Sequence, residues 1–178
     1  MAIRNILLLG NPDLYKKSDV VLQSELSMLN EVVCDLHDTL TDFRNRNNAG
    51  RAIAAPQIGV HKKVIYMNII EPITIINPSL EPLGTDTIEL WDDCMSFPDL
   101  LVKVKRFKRC QLTYKDLSWR TRELILNDDL SELIQHEYDH LEGILAVQRA
   151  IDQFSFSLKS QVKTSINLTP DNRSEQIA

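Results

Sequence analysis

Residues 135–140 read Gln-His-Glu-Tyr-Asp-His, with two histidines four positions apart and a glutamate directly after the first. Residues four apart lie on one face of a helix, so the side chains of His136 and His140 can reach one metal ion. The carboxylate of Glu137 would project beside that ion and could move protons for a water molecule bound to it. The pattern predicts a metal-dependent hydrolase. The alternative is two surface histidines on an amphipathic helix.

A catalytic metal site needs a third protein ligand and one position left open for water. No histidine follows His140, and Glu142 lies too close to His140 on the same helix to be an easy third ligand. Upstream, Cys94 lies in a polar stretch, residues 91–98, with turn and loop character. The other two cysteines lie in a helix pattern and a strand pattern. Cys94 is therefore the candidate, and a buried unreactive thiol is the alternative for all three.

A third segment, residues 50–59, is rich in glycine and alanine and contains Gln57. Small residues let a ligand or another chain approach the backbone closely. The neutral amide of Gln57 could donate a hydrogen bond to an oxygen that gains negative charge during a reaction. The alternative is an ordinary tight loop with a solvated glutamine.

The elements that would position these residues follow from hydrophobic spacing. Apolar residues at steps of three and four predict a helix over residues 24–43 with Ser24 as its N-cap. A second helix, from Asp128 to a stop at Gly143, carries the histidines, with Asn127 as its cap. A third helix is predicted over residues 150–162. Strands are predicted over residues 64–67, 73–76, 102–107, 110–114 and 122–126. The layout is a single α+β domain over residues 1–165, followed by a flexible tail, residues 166–178.

Composition narrows the class of protein. The net charge of −5 disfavours a nucleic-acid-binding protein, and the 43% hydrophobic share is that of an ordinary globular domain. No stretch has the roughly 18 apolar residues of a membrane span, and no signal peptide is evident, so we expect a cytoplasmic protein without membrane contact. The basic run at residues 103–109 predicts a solvated strand face; the alternative is contact with an anion such as ribosomal RNA.

Together, the three segments resemble the signature motifs of the peptide deformylases. The motif G-x-G-x-A-A-P-Q matches residues 50–57, with Ala52 in place of the second glycine. The motif E-G-C-x-S matches residues 92–96, with two aspartates in place of glutamate and glycine. The motif Q-H-E-x-D-H matches residues 135–140 completely. The resemblance extends over roughly residues 3–150.

The resemblance implies a fold of mixed β-sheets around a central helix that bears the H-E-x-x-H motif. It implies Glu137 as the proton-transfer residue and an oxyanion hole made by the Gln57 side chain and the Met95 backbone N–H. The implied metal is Fe(II), with Zn(II) or Ni(II) as substitutes, and a mixed thiolate and imidazole site suits all three. The implied metal ligands are Cys94, His136 and His140.

The implied activity is removal of the formyl group from the N-terminal formylmethionine of newly made polypeptides. The partners would be N-formylmethionyl peptides or nascent chains, with transient ribosome proximity and no specificity for nucleic acid. Such a peptide would run as an extended strand beside Gly50, Ala52 and Asp93. Two alternatives stay open: hydrolysis of another formylated amine, and a catalytically weak or inactive binding protein that keeps the fold. An endopeptidase is disfavoured because the downstream ligand is missing.

Two aspartates, Asp92 and Asp93, depart most from the motif because Asp93 adds a charge and a side chain directly before the cysteine. Glycine adopts backbone conformations that aspartate adopts less readily. If both acids line the mouth of the site, they should disfavour acidic substrates and could select a cationic or small amine. The alternative is that both face solvent.

Overall fold

Two antiparallel sheets and two long helices make up the fold in the computed structural model, which describes residues 2–162. One sheet has five strands in the order β1-β2-β3-β6-β7, and the other has three in the order β4-β5-β8. The strands are β1 (Ala52–Ala54), β2 (Val64–Asn68), β3 (Pro72–Pro82), β4 (Thr87–Asp93), β5 (Leu100–Phe107), β6 (Arg109–Lys115), β7 (Thr121–Asn127) and β8 (Phe156–Leu158). The helices are α1 (Leu26–Asn47), α2 (Asp128–Leu141) and the short α3 (Lys159–Val162). The predicted α+β class is confirmed.

The five-stranded sheet separates two hydrophobic clusters because side chains alternate between the faces of a strand. On β2, Ile65 and Met67 point to the cluster that contains α2, whereas Val64 and Tyr66 point to the cluster that contains α1. Both faces of the sheet are therefore covered by a helix. This explains why its central strands are runs of apolar residues rather than a simple alternation.

Helix α2 is the central element, since it packs against both β1 of the larger sheet and β5 of the smaller one. Leu133, Ile134 and Leu141 belong to the cluster between α2 and the larger sheet. The helix ends as predicted, because Gly143 adopts a left-handed φ of +72° just beyond it. A Cβ at this position would lie 2.5 Å from the backbone oxygen of Tyr15, so the chain closes tightly against the N-terminal region here.

The predicted helix over residues 150–162 is wrong. Residues 156–158 instead form β8, which pairs with β5 through Leu100–Leu158, Leu101–Ser157 and Val102–Phe156, and only Lys159–Val162 is helical. The sequence Phe-Ser-Phe-Ser-Leu at residues 154–158 alternates apolar and polar residues, which is the period of a strand. The predicted tail, residues 166–178, lies outside the described residues.

Other element boundaries differ in smaller ways. Helix α1 begins at Leu26 and continues to Asn47, and Ser24 lies in a preceding 3-10 turn instead of capping the helix. Residues 91–93, predicted as part of a loop, are the end of β4, which pairs with β5 along its whole length. The short β1 was not among the predicted strands, and it pairs with β2. Among the described residues, none of the helices is long and apolar enough to cross a membrane.

The N-terminal segment, residues 2–15, contains no strand, but its backbone forms hydrogen bonds with two other segments. The backbone N–H of Leu7 donates to the Gln57 carbonyl at 2.8 Å, and the N–H of Leu9 donates to the Ser96 carbonyl at 2.8 Å. The segments that contain Gln57 and Cys94 are thereby held side by side, above α2.

Candidate metal centre

Cys94, His136 and His140 lie together in the interior, although Cys94 is more than forty positions away from the histidines in the sequence. One ligand atom from each residue lies within 4.8 Å of the other two, and all three residues are buried. The Cys94 Sγ atom is 3.2 Å from His140 Nε2. Cys94 directly follows β4, whereas both histidines lie one turn apart on α2. The structure brings together the three residues that the sequence singled out.

These three side chains fit a divalent metal ion. Ligand atoms around a four-coordinate zinc ion are separated by about 3.5 Å, which the cluster reaches with little adjustment. A thiolate with two imidazoles is a donor set that suits iron, zinc and nickel. Burial lowers the pKa of His136, but the charges of Asp92 and Cys94 outweigh burial and raise that pKa well above its usual range. Burial and the neighbouring His136 lower the pKa of His140 well below its usual range, so His140 is held as the neutral imidazole that a metal ion binds.

Asp92 fixes the ring of His136. The Asp92 Oδ1 atom is 2.8 Å from His136 Nδ1, which leaves Nε2 for the cluster. Arg106 donates to the other carboxylate oxygen of Asp92 at 3.0 Å. Burial raises the pKa of Asp92, but His136 and Arg106 lower it overall to about 2, so the carboxylate stays charged. A carboxylate behind a metal-ligating histidine orients the ring and strengthens the ligand.

Arg106 joins this carboxylate to a second one. It also donates to Asp139, which accepts hydrogen bonds from Arg149 at 2.7 and 3.2 Å. The basic run was predicted as a solvated face, and for Arg106 this is wrong, because only 4% of its side chain is exposed. The signal was present in the sequence: Val102, Val104 and Arg106 alternate along β5 and share its buried face.

Glu137 follows His136 on α2 and is fully within the interior. Its Oε2 atom has no hydrogen-bond partner among the described residues, which is unusual for a buried carboxylate. Burial raises the pKa of Glu137 to about 7, with the neighbouring Asp92 and Glu132 adding to the effect of burial and His136 opposing it. A carboxyl group whose pKa lies near neutral can both accept and return a proton.

The amide of Gln57 is held in one orientation. Its Oε1 atom accepts a hydrogen bond from the Ala54 N–H at 3.0 Å, so its Nε2 group turns towards the cluster. Nε2 lies 3.6 Å from Cys94 Sγ and 3.3 Å from Ser96 Oγ. The Met95 N–H, on the same side, has no backbone acceptor among the described residues. The Gln57 amide thus donates towards the metal-binding sulfur, and the Met95 N–H is that of the residue directly after Cys94.

Gly50 and Ala52, predicted along the substrate path, lie opposite α2. Gly50 has a φ of +115°, which residues with a side chain rarely adopt, and a Cβ there would be 3.2 Å from the Leu40 side chain. Both the backbone conformation and the limited space therefore favour glycine at this position. Ala52 is buried in β1 and pairs with Met67 of β2. The methyl group of Ala52 therefore faces the core instead of blocking the site.

The two aspartates that depart from the motif have different surroundings. Asp92 is 2% exposed and belongs to the network behind His136, so it does not face solvent, although it also lines the cavity beside the cluster. Asp93 is exposed and accepts a hydrogen bond from Lys159 Nζ at 2.7 Å. It lies at the extended end of β4 and does not have the positive φ that would favour glycine.

A cavity of about 460 Å³ opens beside this centre. Its wall includes most of the chemical groups of the centre, namely Gln57, Asp92, Cys94, Met95, His136 and Glu137, and the predicted substrate-path residues Gly50, Ala52 and Asp93. A substrate in this cavity could reach the metal-binding atoms, the two N–H donors and the carboxyl group at once.

Comparison with known proteins agrees with this geometry. The sequence model of the polypeptide deformylase family matches residues 3–155. The chain is 33% identical to peptide deformylase 1 of Prochlorococcus marinus over 177 residues, covering 93% of this chain and 90% of that protein. It is 30% identical to the peptide deformylase of Leptospira biflexa over 179 residues, covering 93% and 97%.

Solved structures show the same fold. The peptide deformylase of Thermotoga maritima superposes with a TM-score of 0.78 and 26% identity, covering 85% of this chain and all of that one. The peptide deformylase of Synechococcus elongatus, solved in complex with actinonin, has a TM-score of 0.78 and 28% identity, covering 85% and 81%.

Proposed function

The chain belongs to the polypeptide deformylase family, and from that premise we propose that Cys94, His136 and His140 are the ligands of its metal ion. The protein is a hydrolase that uses a divalent metal and removes the formyl group from the N-terminal formylmethionine of newly made polypeptides. The assignment of metal ligands rests on one observation, the buried cluster of Cys94, His136 and His140. Within the described residues, the Glu137 Oε2 atom next to it in the sequence has no hydrogen-bond partner.

Each remaining group then has a role that follows from its position. A divalent metal, when bound, lowers the pKa of a water molecule and polarises a carbonyl group. Glu137 accepts a proton from the attacking water and delivers it to the nitrogen of the leaving amine. The Gln57 amide and the Met95 N–H donate to the formyl oxygen as it gains negative charge, and the fixed orientation of Gln57 supports this role. The products are formate and a free amine.

Fe(II) is our proposal for the metal in the cell. Zinc and nickel bind nitrogen and sulfur ligands more tightly than iron does, so they would replace iron during aerobic handling. Metal analysis of protein purified without oxygen, compared with protein purified in air, tests this. Iron in the first preparation and zinc or nickel in the second is the expected result, and zinc in both would contradict it.

The substrate peptide, in this proposal, lies as an extended strand beside Gly50, Ala52 and Asp93. Their presence along the cavity wall supports that path. We also propose that the protein works in the cytoplasm, close to the ribosome, where formylated chains are made. Three free cysteines are consistent with a reducing compartment.

The decisive experiment measures formate release from formyl-Met-Ala-Ser by iron-loaded protein kept free of oxygen. Release that falls by a factor of 10² to 10⁴ in Glu137→Ala, with one metal per chain retained, supports the assigned roles. Undiminished release by Glu137→Ala would remove this residue from the mechanism. Loss of metal in Cys94→Ala, His136→Ala and His140→Ala, taken one at a time, tests the ligands.

A further inference from the structure

One face of α2 forms a continuous wall of the cavity. The residues on this wall recur at steps of three and four and are Asp129, Glu132, Leu133, His136 and Glu137. Glu132 lies one turn before His136, about 6 Å along the helix axis. The side chain of a bound formyl amino acid must lie within a similar distance of the formyl carbon, so it can reach this turn. Glu132 is therefore placed to contact the first residue of the substrate.

Glu132 does not point into solvent. It is 9% exposed, and among residues 2–162 its side chain has one hydrogen-bond donor, Arg51 Nη2 at 3.1 Å. Arg51 comes from the opposite wall, between Gly50 and β1, and makes no other side-chain hydrogen bond within the described residues. One ion pair, held by a single hydrogen bond, thus joins the two walls of the cavity at this point.

Such a pair has unused hydrogen-bonding capacity on both sides. A carboxylate has two acceptor oxygens, and a guanidinium has five N–H donors in a fixed fork. Here one N–H and one oxygen are engaged with each other. An apolar side chain placed against the pair would strip water from these groups without replacing its hydrogen bonds, which costs binding free energy.

The charges decide which polar group fits best. The Glu132 carboxylate repels an acidic side chain, and the Arg51 guanidinium repels a basic one. A primary carboxamide carries both a donor and an acceptor and has no net charge, so it can bond to both partners. The other ion pair of the cavity, between Asp93 and Lys159, is exposed and can be screened by solvent.

We propose that Arg51 and Glu132 determine selectivity for the first residue of the substrate, favouring a formylated amine whose unbranched side chain ends in a carboxamide over an apolar chain of equal length. This rests on the proposed function, because it assumes that the formyl carbon lies at the metal centre. Formylmethionyl peptides remain substrates, and formylglutaminyl peptides are turned over faster.

The test compares formyl-Gln-Ala-Ser with formyl-norleucyl-Ala-Ser, which have side chains of nearly equal length. We expect kcat/KM to be about tenfold higher for the glutaminyl peptide with the wild-type protein. In Arg51→Leu/Glu132→Leu the preference should reverse, and in Glu132→Gln it should weaken. The matched control, Lys103→Leu/Glu89→Leu, removes an exposed ion pair outside the cavity and should leave the ratio unchanged.

Binding separates this inference from the proposed function. Titration calorimetry of both formyl peptides against metal-loaded Glu137→Ala, with and without the two leucine substitutions, reports selectivity in the absence of turnover. A glutaminyl preference that the substitutions abolish supports the inference, even if the wild-type protein releases no formate; that failure would count against the proposed function alone. Equal binding, or a norleucyl preference that the substitutions leave unchanged, overturns the inference.

Discussion

The imidazole of His136 is oriented by Asp92, and Asp92 is in turn held by Arg106. Asp92→Asn keeps the size of the side chain but removes the charge that stabilises a cationic centre. We expect metal affinity to fall by a factor of 10 to 100, because carboxylates behind a ligating histidine contribute on that scale. Competition with a chelator of known affinity measures it.

The neighbouring acid supplies the control. Asp93→Asn changes an exposed side chain whose partner is Lys159 on the surface, so metal affinity should stay within about twofold of wild type. Equal losses in the two variants would show that nearby negative charge, and not the hydrogen bond to His136, is what matters.

The sequence predicted the cluster residues but not the network behind them. The four-residue spacing on a helix is enough to pair His136 with His140, and the resemblance of residues 92–96 to the E-G-C-x-S motif identifies Cys94. The partnership of Asp92 with Arg106 depends on β4 and β5 pairing in one register, with Arg106 on the buried face. A long-range pairing of this kind cannot be read from a single sequence, although the alternation along β5 showed which face Arg106 occupies.

At the level of elements, the end of α2 is fixed by Gly143. Gly143→Ala would bring a Cβ to 2.5 Å from the Tyr15 oxygen and force a left-handed φ on alanine. We expect the free energy of unfolding to fall by about 1–3 kcal/mol or more, since strain alone costs that much. Chemical denaturation measures it.

A second glycine separates strain from the steric clash. Gly84 also has a positive φ, +89°, but no atom lies within 4 Å of the Cβ that alanine would add. Gly84→Ala should therefore show the cost of strain only. If the two variants were equally destabilised, the contact between Gly143 and Tyr15 would not contribute.

Helix α1 is tied to the N-terminal segment by the buried Asp35, which accepts hydrogen bonds from Arg4 Nε at 2.7 Å and from the Ala2 N–H at 2.9 Å. The hydrogen bond from Arg4 is the main cause that lowers the pKa of Asp35. A lowered pKa means that the stabilisation is present above the pKa of the unfolded chain and is lost as pH falls through the folded pKa.

Asp35→Asn should therefore lower the free energy of unfolding by about 1 kcal/mol at pH 7, because the Arg4 side chain is 52% exposed and solvent screens its charge. The difference from wild type should shrink below about pH 4. Urea titrations at several pH values measure both effects. Glu31→Gln, on an exposed part of the same helix, is the control and should show neither effect. A difference between Asp35→Asn and wild type that does not shrink at all as pH falls from about 5 to about 2 would contradict the assignment to the charge.

Elements with a hydrophobic period that extends over many residues could be predicted from the sequence, and the shortest elements could not. The apolar stripe of α1 and the glycine-terminated α2 were found within a few residues of their bounds. Asn127 stands at the predicted N-cap position of α2, but its side chain makes no capping hydrogen bond and accepts one from Arg109 instead. The three-residue β1 has no room for a period, and the alternation that marks β8 extends over only five residues, so its strand conformation depends on pairing with the edge of β5. Short strands of this kind depend on the rest of the sheet.

On the scale of the whole molecule, the metal would join the two sheets. Cys94 follows a strand of the smaller sheet, and the histidines lie on the helix that packs against both. At a metal concentration 100 times its Kd, binding adds about 2.7 kcal/mol of stability. Removing the metal with a chelator should then lower Tm by about 5–10 °C. Cys94→Ala should be insensitive to the chelator; an equal shift in that variant would show that the stabilising metal binds elsewhere.

The three sequence motifs predicted the overall architecture better than the spacing of hydrophobic residues did. Hydrophobic spacing supported two helices and a strand-rich middle, which several α+β folds share. The order of three motifs, with their spacing, identified the family and with it the central position of α2. How two sheets pack on one helix depends on many distant contacts that no local pattern contains.

The N-terminal segment has a consequence for the timing of synthesis. Leu7 and Leu9 bond to residues near positions 57 and 96, and Tyr15 packs against Gly143. The contacts of this segment can therefore form only in steps, as residues 57, 96 and 143 are synthesised in turn. At 5–20 residues per second, roughly 6–25 s pass between synthesis of Tyr15 and of Gly143. For that interval the turn around Tyr15 stays open to other molecules, and it is covered only once the end of α2 has been made, whereas Ala2 and Arg4 can reach Asp35 much earlier.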